Sequence, residues 1–246
     1  ETLYLLSKPL YILPTFELMK HKLELIYFKM RALAEAPRLL FHYVGLEYED
    51  IMSWDYYGKE WSEVKSKVPF RQLPMLVVDQ KYEICQSIAI LTFIEKIAGI
   101  NISDSIQNAK ANAVMQSAQE LFMPLNPTIN FSVGDRFKKK REDMMPFLNS
   151  RFEDLERALK DNDNKFYVDD KPRACDFAVY HHLDLSKLLD PKLINKFPRL
   201  EKFIEDIESI KTVKSYLNSR AELIDVGVEP KLVIDGVAHP TGVNNS

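Results

Sequence analysis

Apolar and polar residues alternate through Leu23–Phe28, with Leu23, Leu25 and Tyr27 on one side and Glu24, Ile26 and Phe28 on the other, and this predicts a strand. The period then changes. From Ala32 to Val44, Leu33, Ala36, Leu39, Leu40 and Tyr43 recur at helical spacing, Pro37 falls in the early turns, and Gly45 supplies the stop. Leu46–Ile51 reads as a second strand, and Trp54–Ser66 as an irregular polar-aromatic stretch with a short helix at Glu60–Lys65. Met75–Asp79 predicts a third strand, Asp79-Gln80-Lys81 a turn, and Tyr82–Cys85 a fourth, antiparallel strand. Gln86-Ser87 then caps a helix over Ile88–Ile97. A β-α-β unit followed by a hairpin and a helix is the element order of a thioredoxin-like domain, spanning residues 23–99.

Gly99–Ser105 is a linker, and beyond it the pattern is helical. Ala109–Phe122, Arg141–Leu159, Cys175–Leu188 and Leu200–Ile210 all carry helical apolar spacing with no convincing strand between them. An all-helical second domain over 105–225 follows, built as a bundle. Two arms flank this body. Residues 1–22 form an apolar extension broken by Pro9 and Pro14, too apolar to be a free solvated tail and expected to bury itself on the body or on a partner. Residues 226–246 carry Pro and Gly without periodicity and are expected to be extended.

Composition narrows the function classes. A chain of 246 residues that is 46% hydrophobic and 28% charged fits one large or two small globular domains. The net charge of -3 gives no global pull toward nucleic acid or an anionic membrane. The run Lys138-Lys139-Lys140-Arg141 is read as a solvated surface rather than a phosphate site. Cys85 and Cys175 are far apart and form no CxxC pair, which excludes a dithiol motif or a zinc knuckle and makes a reducing compartment the default. No apolar run is long enough to span a bilayer, no glycine-rich phosphate loop is present, and no metal is expected. His181-His182 falls mid-helix, where neighbouring side chains point about 100° apart and do not readily share a metal. Cys85 reads as a small hydrophobe, and the charges over Glu153–Lys160 as a solvated helix face.

The chemistry gathers around Tyr27, which ends the first strand ahead of a helix. A hydroxyl in that place can donate to an anion. The segments Tyr27–Glu35, Pro69-Phe70-Arg71-Gln72-Leu73-Pro74 and Gln86-Ser87-Ile88-Ala89-Ile90 resemble the cytosolic glutathione transferases, with sigma the nearest class, and the resemblance covers Leu23 to Arg220. That class includes insect and helminth transferases, the glutathione-dependent prostaglandin D synthase and the lens S-crystallins. The resemblance implies glutathione as co-substrate and the following site. Tyr27 is catalytic: it hydrogen-bonds the glutathione sulfur and favours the nucleophilic thiolate. Leu73, followed by Pro74 in a cis bond, pairs through its backbone with the cysteinyl unit beside Gln72. Gln86 and Ser87 hold the γ-glutamyl carboxylate at a helix N-terminus. Trp61 and Lys65 hold the glycyl carboxylate. Glu120, with Gln119 as its competitor, reaches the glutathione ammonium of a partner subunit.

The sequence also departs from the pattern. Ala32-Leu33 stands where many sigma enzymes have Gly-Arg. Arg71 replaces a frequent small residue, where a bulky cation could crowd the site or meet a carboxylate. Arg173 stands where a Ser or Thr would complete a capping box with Asp176. The leading expectation is a sigma-like transferase, a dimer in a detoxification role, with a small electrophile or lipid as its second substrate. The alternative is the same fold reused as a structural subunit of a larger assembly, docked through the two arms and with little or no catalysis. A thiol-disulfide enzyme is disfavoured because Tyr27 stands where a nucleophilic cysteine would be needed. A cytoplasmic location is expected, or a mitochondrial one if a chain that starts at Glu1 is a processed form.

Overall fold

A computed structural model describes residues 21–132, 134–161 and 164–220, together with 232–234 and 237–239. Residues 1–20 of the apolar arm and most of the C-terminal tail lie outside the described residues.

The first domain contains a four-stranded sheet in the order β2-β1-β3-β4, made from β1 (Leu23–Tyr27), β2 (Glu49–Met52), β3 (Met75–Val78) and β4 (Tyr82–Cys85). β1 runs parallel to β2 and antiparallel to β3, with Ile26 opposite Ile51 on one side and Met75 on the other. The β3–β4 hairpin pairs Met75 with Cys85 and Val78 with Tyr82. A central strand of a sheet covered on both faces has no solvent side, and all five residues of β1 are buried. The alternation in Leu23–Tyr27 therefore separates two buried faces. Glu24 is tolerated because Lys22 Nζ donates to its carboxylate at 2.9 Å.

The first predicted helix is divided. Ala32–Ala34 is a single 3-10 turn, and α1 runs over Glu35–Val44. Gly45 closes it at φ 70°, donating to the Phe41 carbonyl as a left-handed cap does. After β2 come two short helices, α2 (Ser53–Tyr57) and α3 (Trp61–Val64), the first of which carries no periodic signal in the sequence. α4 (Ser87–Ile97) follows the hairpin.

The second domain is helical. α5 (Ser105–Gln119) and α6 (Phe122–Phe131) form a broken pair, and α7 (Gly134–Lys160) is the longest element. α8 (Ala174–Lys187) is buried along almost its whole length and packs on α1, α4, α5, α6 and α9 (Pro198–Glu208). α10 (Lys211–Ser219) then returns against α1. In the tail, β5 (Leu232–Ile234) and β6 (Val237–His239) are extended and pair antiparallel.

Polar contacts tie the two domains together. Glu95 of α4, 5% exposed, accepts from the Ala174 N–H at the start of α8 (3.2 Å). Arg173 donates to the Ile100 carbonyl and to Asp169. The capping box is half formed, as the sequence implies: Asp176 accepts from the Arg173 N–H (2.7 Å), while a guanidinium cannot accept in return. Asp176 instead takes a second donor, the Tyr167 N–H at 2.9 Å. One expectation fails within Glu153–Lys160. Glu156 is buried, not solvated, and its carboxylate accepts from the Arg199 and Leu200 N–H groups (3.2 and 2.8 Å), capping the start of α9. His181 and His182 are both in the core, and burial holds both below the usual imidazole range.

Candidate functional site

The site forms along the edge where β1 ends, the cis bond turns and α4 begins. Tyr27 is the last residue of β1 and is 3% exposed. Its ring is tilted against Phe28 (5.3 Å between centroids), and Phe28 in turn meets Trp61 edge-on (5.3 Å). The chain then doubles back, with Met30 N–H donating to the Phe28 carbonyl (2.7 Å), and the turn at Ala32–Ala34 aims the Leu33 N–H at the Tyr27 hydroxyl oxygen, 3.2 Å away. The bond comes from the backbone, so it does not depend on the side chain at Leu33. That answers one of the departures noted in the sequence.

The hydroxyl oxygen of Tyr27 thus accepts one hydrogen bond, while its own proton has no acceptor among the described residues. Burial pushes the phenol up to about 12, against the smaller opposing effects of the Leu33 N–H and the Arg38 guanidinium. At neutral pH the group is therefore a phenol, a donor with a proton to place.

The Leu73-Pro74 bond is cis. The β1–β3 and β3–β4 ladders begin at Met75, which leaves the backbone groups of the buried Leu73 ahead of both ladders. Gln86, held at φ 74°, leads into α4 and its side-chain N–H donates to the side-chain amide oxygen Oε1 of Gln72 (3.1 Å). Among the described residues no side chain caps the N-terminus of α4, where Ser87 is the first residue and is buried. An 11-residue helix with uncapped N–H groups at its start presents partial positive charge to an anion.

Other predicted residues divide. Trp61 is half-buried at the start of α3, and Lys65 is exposed at its end. Arg71 is exposed with φ 55°, in a turn that also holds Phe70 at φ 56°, so it does not fill the site. Glu120 is exposed and pairs with Arg151 of its own chain at 3.5 Å. Among the described residues, no group of three His, Cys, Asp or Glu side chains could hold a metal, and no helix is long and apolar enough to cross a membrane.

The sequence did not single out Arg38. It is 7% exposed, bound through Nε and Nη2 to both carboxylate oxygens of Asp50 (2.7 and 3.2 Å), and donates through Nη1 to the Met30 carbonyl (2.8 Å). A long polar side chain among the apolar positions of α1 was the one available signal.

Family models of the glutathione S-transferase N-terminal domain and C-terminal domain match residues 23–96 and 125–220. Glutathione S-transferase P 10 of Caenorhabditis elegans is 30% identical over 198 residues, covering 80% of this chain and 91% of its own. Glutathione S-transferase S1 of Drosophila melanogaster is 25% identical over 209 residues, covering 83% and 81%. Among solved structures, a Pi-class glutathione S-transferase of Onchocerca volvulus superposes with a TM-score of 0.71 at 25% identity, covering 81% of this chain and 93% of that one.

Proposed function

The chain belongs to the glutathione S-transferase family, and on that premise we propose that it binds glutathione along the β1–α4 edge and activates its thiol with Tyr27. The unspent proton of Tyr27 carries the reading. A sulfur placed at the hydroxyl would accept that hydrogen bond, and the bond strengthens as the thiol loses its proton, so thiolate is favoured over thiol. The Leu33 N–H assists by withdrawing charge from the phenol oxygen, making it a better donor. The start of α4, with Gln86 and Ser87, suits the γ-glutamyl carboxylate, and the backbone of Leu73 suits the cysteinyl amide. Trp61 and Lys65 complete the reading at the glycyl carboxylate.

The thiolate then attacks an electrophile. The electron pair on sulfur forms the new C–S bond, and the electrophile's leaving group or acceptor atom takes the displaced pair. The class reading is sigma-like and rests on the Tyr27–Glu35 segment; Caenorhabditis elegans proteins named glutathione S-transferase P and the Pi-class transferase of Onchocerca volvulus are also similar. Glu120, whose exposed carboxylate lies 3.5 Å from Arg151 of its own chain, keeps its cross-subunit role as part of this reading for a dimer.

Retention on immobilised glutathione and turnover of a chlorodinitrobenzene electrophile test the proposal, with Tyr27→Phe as the control. The expected result is retention by both proteins and a loss of roughly a hundredfold in kcat/KM for the variant, the scale of one positioned hydrogen bond to developing charge. Retention without any effect of Tyr27→Phe on rate would remove Tyr27 from the chemistry. No retention and no turnover by the wild type would favour the structural-subunit reading.

A further inference from the structure

Tyr27 is aimed by the loop that follows it, and one buried cation holds that loop. Arg38 donates to the Met30 carbonyl (2.8 Å), midway between Tyr27 and the Leu33 N–H that meets its hydroxyl. The guanidinium carbon lies 5.9 Å from the centroid of the Tyr27 ring. Its own position is fixed from β2, where Asp50 takes two of its N–H groups (2.7 and 3.2 Å) in the paired geometry that a planar guanidinium gives a carboxylate. Glu35, one turn back on α1, lies 3.6 Å from Nη1.

We propose that Arg38 is a positioning residue for Tyr27, and that the degree to which Asp50 neutralises it tunes how readily the bound thiol ionises. The inference rests on the proposed role of Tyr27. Two effects act together. The bond to Met30 fixes the turn that delivers the Leu33 N–H. The positive charge behind the ring favours negative charge on the phenol–sulfur pair, and Asp50 offsets part of that field.

Other charges near Arg38 are accounted for. Glu35 of α1 is shared with Tyr216 of α10 (3.0 Å) and Arg220 (2.9 Å). Arg220 in turn binds Asp184 of α8 (2.8 Å), with Arg31 3.8 Å from the same carboxylate. Tyr48, His42 and His181 also face the cluster, the first a phenol raised by burial and the two imidazoles lowered by it, His42 against the opposing pull of Glu35 and Asp50. These groups stay in place in the test variants.

The test compares Arg38→Met and Asp50→Asn, which a field effect moves in opposite directions. Glutathione is bound to each protein, and the thiolate is titrated by its ultraviolet absorbance and by the pH profile of kcat/KM with the chlorodinitrobenzene electrophile. Arg38→Met is expected to move the inflection toward alkaline pH by roughly one unit, and Asp50→Asn toward acid by roughly half a unit, as expected when a charge at this range is removed or unmasked. The KM for glutathione is expected to stay within about twofold. Breaking a buried pair can prevent folding. Asp50, whose side chain is 32% exposed, gives the milder variant, and Arg38→Lys keeps the charge while losing the fork. Inflections that stay fixed, or move the same way in both variants, would overturn the inference and leave Arg38 a structural residue. Tyr27→Phe, run alongside, separates the two readings. If it leaves the thiolate inflection unmoved, the role of Tyr27 fails; if it moves the inflection while Arg38 and Asp50 variants do not, only the present inference fails.

Discussion

Asp176 offers a direct test of how burial and hydrogen bonding compete in this fold. It has no exposed surface, and its carboxylate accepts from two backbone donors, Tyr167 N–H and Arg173 N–H, at the start of α8. Both donors and the helix end favour the ionised form. Burial opposes them and prevails, raising the carboxyl from an ordinary 3.8 to about 7. A group whose folded value lies above its unfolded one contributes stability that is complete below the unfolded value and is lost as pH rises through the folded one. The interval from 3.8 to about 7, at 1.36 kcal/mol per pH unit, amounts to about 4 kcal/mol. Asp176→Asn removes the titration but keeps one acceptor oxygen. The stability of the wild type relative to Asp176→Asn should therefore fall between pH 4 and pH 8 by about 4 kcal/mol. Urea unfolding followed by far-ultraviolet circular dichroism, at several pH values across that range, measures the difference directly. A difference that stays flat or grows with pH would refute the reasoning. It would mean that the two N–H donors and the helix dipole outweigh desolvation and hold the carboxylate ionised.

Two further outcomes follow from particular contacts. Glu156→Ala leaves the Arg199 and Leu200 N–H groups at the buried start of α9 without their acceptor and should cost about 2–4 kcal/mol in urea unfolding, whereas Glu156→Gln, which keeps one acceptor, should cost less than half as much. Arg71→Gly relieves a non-glycine residue at φ 55° on an exposed turn and should stabilise the protein by about 1 kcal/mol with no change in retention on glutathione; weakened retention would return Arg71 to the site.

Much of this fold can be read from periodicity because its first domain alternates between two clean periods. The four strands and two of the longer helices of that domain fall within a few residues of their expected positions. The misses have local causes. α6 carries Pro124 and Pro127 and buries Asn126, Thr128 and Asn130, so its apolar stripe is interrupted by polar residues that bond locally, Asn130 to Asn126 at 2.6 Å and Thr128 to the Pro124 carbonyl at 2.9 Å. α10 buries only Val213 and Tyr216, too few anchors for a periodic signal. Glu156 looks like one more charge on a charged helix, and only the arrival of α9 across a fold of more than forty residues makes it a cap.

The site divides along a related line. The cis bend at Leu73-Pro74 and the helix start at Gln86-Ser87 are legible because each is a property of a few consecutive residues. The role expected of Glu120 involves a second subunit; within its own chain the exposed carboxylate lies 3.5 Å from Arg151. For Tyr27 the sequence supplied the hydroxyl but not what surrounds it. Ala32-Leu33 in place of Gly-Arg leaves no side-chain donor at position 33. The structure supplies a donor from the Leu33 backbone, and a guanidinium from Arg38 on α1, eleven residues along the chain and anchored by Asp50 of the following strand β2. A backbone N–H is the same in every residue but proline, so its aim cannot be read from residue identity; it is set by whatever fixes the loop. That places the informative substitutions for this chemistry at Arg38 and Asp50 rather than at Leu33.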